Sequence, residues 1–183
     1  QNYNSMKYLP TLETERLIIR PITIDDLQDF FEMDSQPEVH EFLKAEPIQT
    51  IEETKEIIED IQKQYEELGH GRLAVVEKET GKMIGWTGFK YIIESESMNN
   101  KFDFIDIGYR YRKETWGKGY ATEAAEACMD FYRKNMSHIK LNAITHVDNK
   151  ASRNVLEKMG FEVTETFHLD MWDLDCFWYE LKK

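Results

Sequence analysis

Only two cysteines, Cys128 and Cys176, occur in the 183 residues. Their spacing fits no zinc motif. Two thiols in a chain this long exclude a disulfide-built fold and point to a reducing compartment, so a cytoplasmic protein is expected. Long apolar runs are absent as well. None approaches the ~20 residues that cross a bilayer, and the N-terminus lacks the basic-then-apolar layout of a secretion signal. No membrane partner is therefore expected. Basic residues are scarce: 23 Lys and Arg stand against 35 Asp and Glu, a net charge of -12. That argues against nucleic acid as the main ligand, because binding a phosphate backbone takes clustered cations. The five histidines, His40, His70, His138, His146 and His168, show no metal-like spacing. Structural or solvent roles are their default, and no metal is expected. Repeats, low-complexity tracts and linkers are missing too. What remains is a chain with 41% hydrophobic and 32% charged residues, suited to one globular domain with a sizeable core. We take residues 6–183 as that domain and read Gln1–Ser5, ahead of Met6, as a tag remnant.

The pattern predicts a single α/β (α+β) domain on a mixed sheet. Arg16–Pro21 reads as a first strand. Thr23 is placed to cap a helix carrying Leu27, Phe30 and Phe31. Thr50 and Glu53 form a capping box for a second helix, with Ile57, Ile58, Ile61, Tyr65 and Leu68 on one face and Gly69 at its end. An antiparallel meander follows: Arg72–Glu77, a turn at Thr80–Gly81, Met83–Tyr91 and Phe102–Tyr111. Next come a helix with Ala121, Ala124, Ala125, Cys128 and Tyr132 on its apolar face, a strand at Lys140–Val147, and a short helix at Ser152–Met159 closed by Gly160. A hairpin near Phe161–His168 and Cys176–Leu181 ends the chain.

The most informative stretch runs from Ile107 to Ala125. A strand leads into a loop with Gly117 and Gly119, and a helix starts at once. Glycines let a backbone approach an anion closely, and the first turn of a helix offers unpaired N–H groups at the positive end of its dipole. Together they can cradle phosphate. The loop is neither a Walker loop nor the dinucleotide fingerprint G-x-G-x-x-G. Taken alone, it is equally a glycine-rich turn.

Trp116-Gly-Lys-Gly-Tyr-Ala121 resembles the pyrophosphate-binding motif Q/R-x-x-G-x-G/A of the GNAT acetyltransferases, with Trp116 in place of the usual Gln or Arg. The wording up to Ala125, the opening Glu13–Pro21 and the run Asn149–Phe161 resemble the branch that holds the Rim-type ribosomal-protein N-terminal acetyltransferases. The resemblance covers nearly the whole chain from Leu12. It implies a mostly antiparallel central sheet of about six to seven strands, flanked by helices, with a splayed central pair. It also implies acetyl-CoA as acyl donor. Main-chain groups of Tyr109, Arg110 and Tyr111 would pair with the pantetheine arm. The pyrophosphate would lie at Trp116, Gly117, Lys118, Gly119, Tyr120, Ala121 and Thr122. Asn149 would bond the pantetheine, or serve only as a turn or cap. Ser152 would cap the short helix, touch CoA, or act as an acid toward the leaving thiolate. Arg153 would reach a cofactor phosphate or remain on the surface. Asp106 stands where the branch often has a carboxylate. It is a candidate base, or an ordinary strand carboxylate. Asp170, Asp173 and Asp175 read as a solvated turn, with no His joining them at useful spacing.

The implied reaction is direct transfer from acetyl-CoA to an amine, without a covalent enzyme intermediate, since neither Cys has a recognisable activating partner. A protein or peptide N-terminal α-amine, basic in context, is the expected acceptor. A small amine such as a polyamine, amino sugar or amino acid is the alternative, and a non-catalytic CoA-binding sensor is another. Acceptor contacts are expected from Glu38–Pro47 and Met98–Lys101. Monomer and homodimer are both open.

Overall fold

The computed structural model describes residues 9–43 and 45–183. Gln1–Ser5 and Met6, where a tag remnant and a native start are expected, lie outside the described residues. A two-residue strand, β1 (Leu12–Glu13), comes first. The chain turns on Thr14, whose hydroxyl accepts the Leu17 N–H at 3.0 Å, and returns as β2 (Leu17–Pro21). Thr23 is a cap, but of a single 3-10 turn at Ile24–Asp26, in a full capping box with Asp26. Helix α1 (Leu27–Asp34) follows from that turn. Helix α2 (Ile51–Leu68) starts at Thr50, whose hydroxyl accepts the Glu53 N–H at 3.3 Å, and stops at Gly69 in a left-handed conformation, φ 73°.

Strands β3 (Arg72–Glu77), β4 (Met83–Ile92) and β5 (Phe104–Tyr111) form the meander. Then follow α3 (Tyr120–Asn135), β6 (Leu141–His146), α4 (Lys150–Lys158), β7 (Phe161–Leu169) and β8 (Leu174–Leu181). All eight strands join one sheet in the order β1-β2-β3-β4-β5-β6-β8-β7. The two-residue β1, which has too little pattern to be read from sequence, accounts for the strand beyond the expected six to seven. Phe30, Met33, Ile58, Ile61 and Tyr65 of α1 and α2 pack on one face with Ile22, Ala74 and Met83. Ala125, Cys128 and Met129 of α3 and Val155 and Leu156 of α4 pack on the other, against Phe89, Ile105, Ile107 and Ala143. No helix among the described residues is long and apolar enough to cross a membrane.

Every neighbouring pair is antiparallel except β5 and β6, which run parallel. That pair keeps register at two positions only, Ile105 with Leu141 and Asp106 with Asn142. Beyond them β5 stays on β4 as far as Tyr111 opposite Gly85. Meanwhile β6 stays on β8 as far as His146 opposite Cys176. Each strand follows its antiparallel partner, so the two part and a gap opens in mid-sheet.

Tyr65 links α2 to the sheet. Its hydroxyl accepts the Ile22 N–H at 3.0 Å and donates to the Arg72 carbonyl. Tyr65→Phe leaves both main-chain groups without that partner, and a loss of about 1–3 kcal/mol is expected. Urea unfolding with an unchanged m-value checks it.

Candidate functional site

The pleat decides which backbone groups face the gap. Ile105 N–H donates toward β6, to Lys140 O at 2.8 Å, whereas Arg112 N–H donates toward β4, to Ile84 O at 2.9 Å. Amide direction alternates along a strand, so Tyr109 and Tyr111 turn their main chain to the gap. Arg110, opposite Trp86, turns its own to β4 instead. Its side chain crosses to the α1 face, where it meets Asp34 at 3.0 Å and lies 5.4 Å from the centre of the Trp86 ring.

The glycine loop sits at the far end of β5. Gly117 and Gly119 have φ of 76° and 80°, values that only glycine adopts without strain. Gly119 is the N-cap of α3 and no side chain caps that helix, which leaves its first-turn N–H groups available to an anion. Trp116, Gly117, Lys118 and Gly119 are exposed, Tyr120 is buried, and Ala121 and Thr122 are half-buried. Three residues with no assigned role in the sequence reading brace the loop. Arg16 bonds the Lys118 carbonyl at 2.8 Å, pairs with Glu123 at 2.7 Å and stacks 4.4 Å from the centre of the Tyr120 ring. Thr14 donates to Glu123 at 2.6 Å. On the strand side, the Trp116 indole N–H donates to Tyr111 O at 2.8 Å.

The start of α4 supplies the opposite wall. Asn149, not Ser152, is its cap: the Asn149 side chain accepts the Ser152 N–H at 3.2 Å. That frees the Ser152 hydroxyl, which donates to the Tyr109 hydroxyl at 3.1 Å. Burial raises the Tyr109 pKa against the pull of Ser152. The Arg153 guanidinium turns to the sheet, 3.3 Å from the Tyr179 hydroxyl and from Val147 O, and 4.6 Å from the Phe177 ring centre.

Asp106 is buried and engaged. Its carboxylate meets Arg72 at 2.5 Å, and the same guanidinium bonds Asp106 O at 2.8 Å and Gly88 O at 2.5 Å. Burial pushes its pKa up, opposed by Arg72. Sequence reasoning gave Arg72 no role. The one available signal was Gly108 inside a strand, a mark of close approach; a Cβ there would stand 3.2 Å from an Arg72 nitrogen. Neither thiol is a ready nucleophile. Burial pushes Cys128 up to about 12 and Cys176 up to about 11.

The aspartates of the last hairpin do meet a histidine, which the linear spacing concealed. Register places His168 opposite Asp175, and its ring contacts Asp175 at 2.9 Å and Asp173 at 3.0 Å. No group of three among the described residues is arranged to hold a metal ion. The bond to Asp175 first, then desolvation in the opposite sense, then the bond to Asp173 set the His168 pKa, which is raised. A raised folded-state value means this contact stabilises the hairpin fully below the ordinary pKa of 6.5 and is lost as pH climbs through the folded value. NMR titration should show His168 titrating above its free value, and Asp175→Asn should lower that midpoint.

An open strand edge, an uncapped helix start and two left-handed glycines in line fit a long anionic cofactor. The sequence matches the family Acetyltransferase (GNAT) domain over residues 16–162, and the chain belongs to that family of acyltransferase enzymes. Its members use acetyl-CoA. The chain is 30% identical over 153 residues to the uncharacterized N-acetyltransferase YoaA of Bacillus subtilis (strain 168), covering 84% of this chain and 83% of that one. Two solved structures share the fold at low identity. The ribosomal-protein-S5-alanine acetyltransferase of Vibrio fischeri has a TM-score of 0.72 at 19% identity, over 93% of this chain and 94% of that one. The spermidine N-acetyltransferase of Vibrio cholerae, in complex with CoA and spermine, has 0.69 at 16%, over 91% and 95%.

Gly119→Val is expected to weaken CoA binding at least tenfold by calorimetry. Left-handed strain should cost about 1–2 kcal/mol of stability. A folded variant with unchanged affinity would remove the glycine loop from the site.

Proposed function

We propose that this enzyme transfers the acetyl group of acetyl-CoA directly to an N-terminal α-amine of a protein or peptide. The observation that carries the reading is the gap itself, edged by the main chain of Tyr109 and Tyr111 and leading to the glycine loop at the start of α3. Acetyl-CoA would supply an acyl group already activated as a thioester. The main chain of Tyr109 and the N–H of Tyr111, whose carbonyl Trp116 occupies, would align the pantetheine arm, and an N–H there would stabilise charge developing on the carbonyl oxygen. The loop from Trp116 to Thr122 would hold the pyrophosphate. Asn149 orders the start of α4 and so aims Ser152, which with Tyr109 would return a proton to the leaving thiolate. Arg153, turned to Tyr179 and Phe177, would brace the start of α4 rather than reach a phosphate.

Two features favour an α-amine. Such an amine has a pKa of about 7.7–8.0 and is partly neutral near pH 7, whereas a lysine amine at about 10.4 needs far more help. Asp106, the carboxylate best placed in sequence to give that help, is tied to Arg72. The far mouth of the gap is also acidic. Phe42 lies 5.5 Å from the His146 ring, and Leu43 packs on the β7–β8 hairpin. Glu41, Asp148, Asp170 and Asp173 are exposed on these segments, while Glu38 is paired with Lys113 at 3.0 Å; the remaining acid would suit an acceptor of positive charge. The same rim, and the likeness to the spermidine enzyme of Vibrio cholerae, favour a polyamine as the second reading.

A thiol-release assay across basic N-terminal peptides, polyamines, aminoglycosides and amino acids separates the two. Release with peptides carrying a free α-amine is expected, and release with polyamines alone would install the second reading. Kinetics from about pH 6 to 9 then test the proton path. Asn149→Ala should lower turnover more than Asp106→Asn in the folded fraction. Asp106→Asn should lower stability by about 3–5 kcal/mol, as for a broken buried pair, and leave the pH profile in place. Loss of the acid limb of that profile would make Asp106 the base after all.

A further inference from the structure

One main-chain acceptor at the gap has a partner that no strand supplies. Tyr111 closes β5, and its carbonyl faces the gap where β6 has already left. The indole N–H of Trp116 takes that carbonyl at 2.8 Å. The backbone N–H of Trp116 donates in turn to Lys113 O at 3.1 Å, so residue 116 is tied to the strand end through both side chain and main chain. The left-handed Gly117 comes next. On the other side of that glycine, Arg16 holds the Lys118 carbonyl. The loop is thus pinned once from the strand and once from Arg16 in the turn between β1 and β2, with Gly117 between the pins.

Core packing does not account for an indole here, since 47% of Trp116 is exposed. The motif that this stretch resembles has Gln or Arg at the same place. Those side chains share one property with Trp that Phe lacks, an N–H donor. We propose that Trp116 is a positioning residue for the cofactor, whose indole N–H fixes the glycine loop relative to the open edge of β5. The proposal rests on the reading of the gap as the acetyl-CoA site. A ligand gripped at two places binds tightly when the spacing of the places is set beforehand, because slack between them must otherwise be ordered on binding.

Calorimetric titration with CoA tests this on wild type, Trp116→Phe and Trp116→Gln, beside urea unfolding of each. Phe keeps an aromatic ring and removes the donor; Gln restores a donor without the ring. The expected result is an affinity about tenfold weaker for Phe, the loss of one well-made hydrogen bond, with Gln within about threefold of wild type and the unfolding midpoint of Phe close to that of wild type. In steady state, the acetyl-CoA KM should rise with the Kd while kcat at saturation holds. Phe binding as wild type does, or Gln binding no better than Phe, would overturn the positioning role while leaving the site in place. A wild-type protein that binds no CoA would overturn the site reading, and the proposal with it.

Discussion

A single guanidinium lies across the sheet at the point where the sheet divides. Arg72 starts on β3, reaches the Gly88 carbonyl on β4, and ends on the carbonyl and carboxylate of Asp106 on β5, with the Trp86 ring centre 4.9 Å away. Asp106 is also the last residue of β5 in register with β6. The tie therefore welds three strands together just where the fourth is released. Gly108 makes the room, since a Cβ there would stand 3.2 Å from the guanidinium. Such a buried pair adds little net stability over an apolar substitute, but breaking it leaves an uncompensated charge. It is best understood as fixing which strands stay together when β5 and β6 part.

The same arrangement lets an acidic chain handle an anionic ligand. With a net charge of -12, the protein would repel phosphates at long range, yet fields fade over roughly 8–10 Å in physiological salt. What counts is the local balance. Around the strand end and the loop, Arg16 is paired with Glu123, Arg110 with Asp34 and Arg112 with Glu32. These carboxylates are thereby neutralised by fixed cations, and a ligand at the start of α3, as proposed, would meet the helix dipole with less opposition. The excess acid is left on outer surfaces, including the rim where a cationic acceptor would enter.

Much of the fold was legible because its signals are local. A short apolar run between polar ends gave Arg72–Glu77 to the residue, the Thr50 cap and Gly69 bounded α2, and the two glycines before Tyr120 marked the loop that starts α3. The residues of the candidate site were legible from sequence, their mutual arrangement much less so. Strand phase alone settles that Tyr109 and Tyr111, and not Arg110, face the gap, and phase depends on pairing with β4. Ser152 was open between cap, CoA contact and acid, and the cap falls to Asn149. The bonds of Arg72 to Asp106, Arg16 to Glu123 and His168 to Asp175 follow from register and docking, which residue spacing in one sequence does not encode. β1 escaped because two residues cannot show a period.

The partner that draws β6 away from β5 is β8, made from residues Leu174–Leu181. The gap is thus shaped by a segment that contributes none of the residues proposed to hold the cofactor. Its consequence lies in biosynthesis. The loop, both tyrosines and the start of α4 leave the ribosome well before β8 does, and until then β6 lacks the antiparallel partner that it follows away from β5. The two could zip shut in the emerging chain, and only insertion of the final hairpin would reopen them. Competence to bind the acyl donor should therefore arrive last in synthesis, as a late event set by the C-terminal strand.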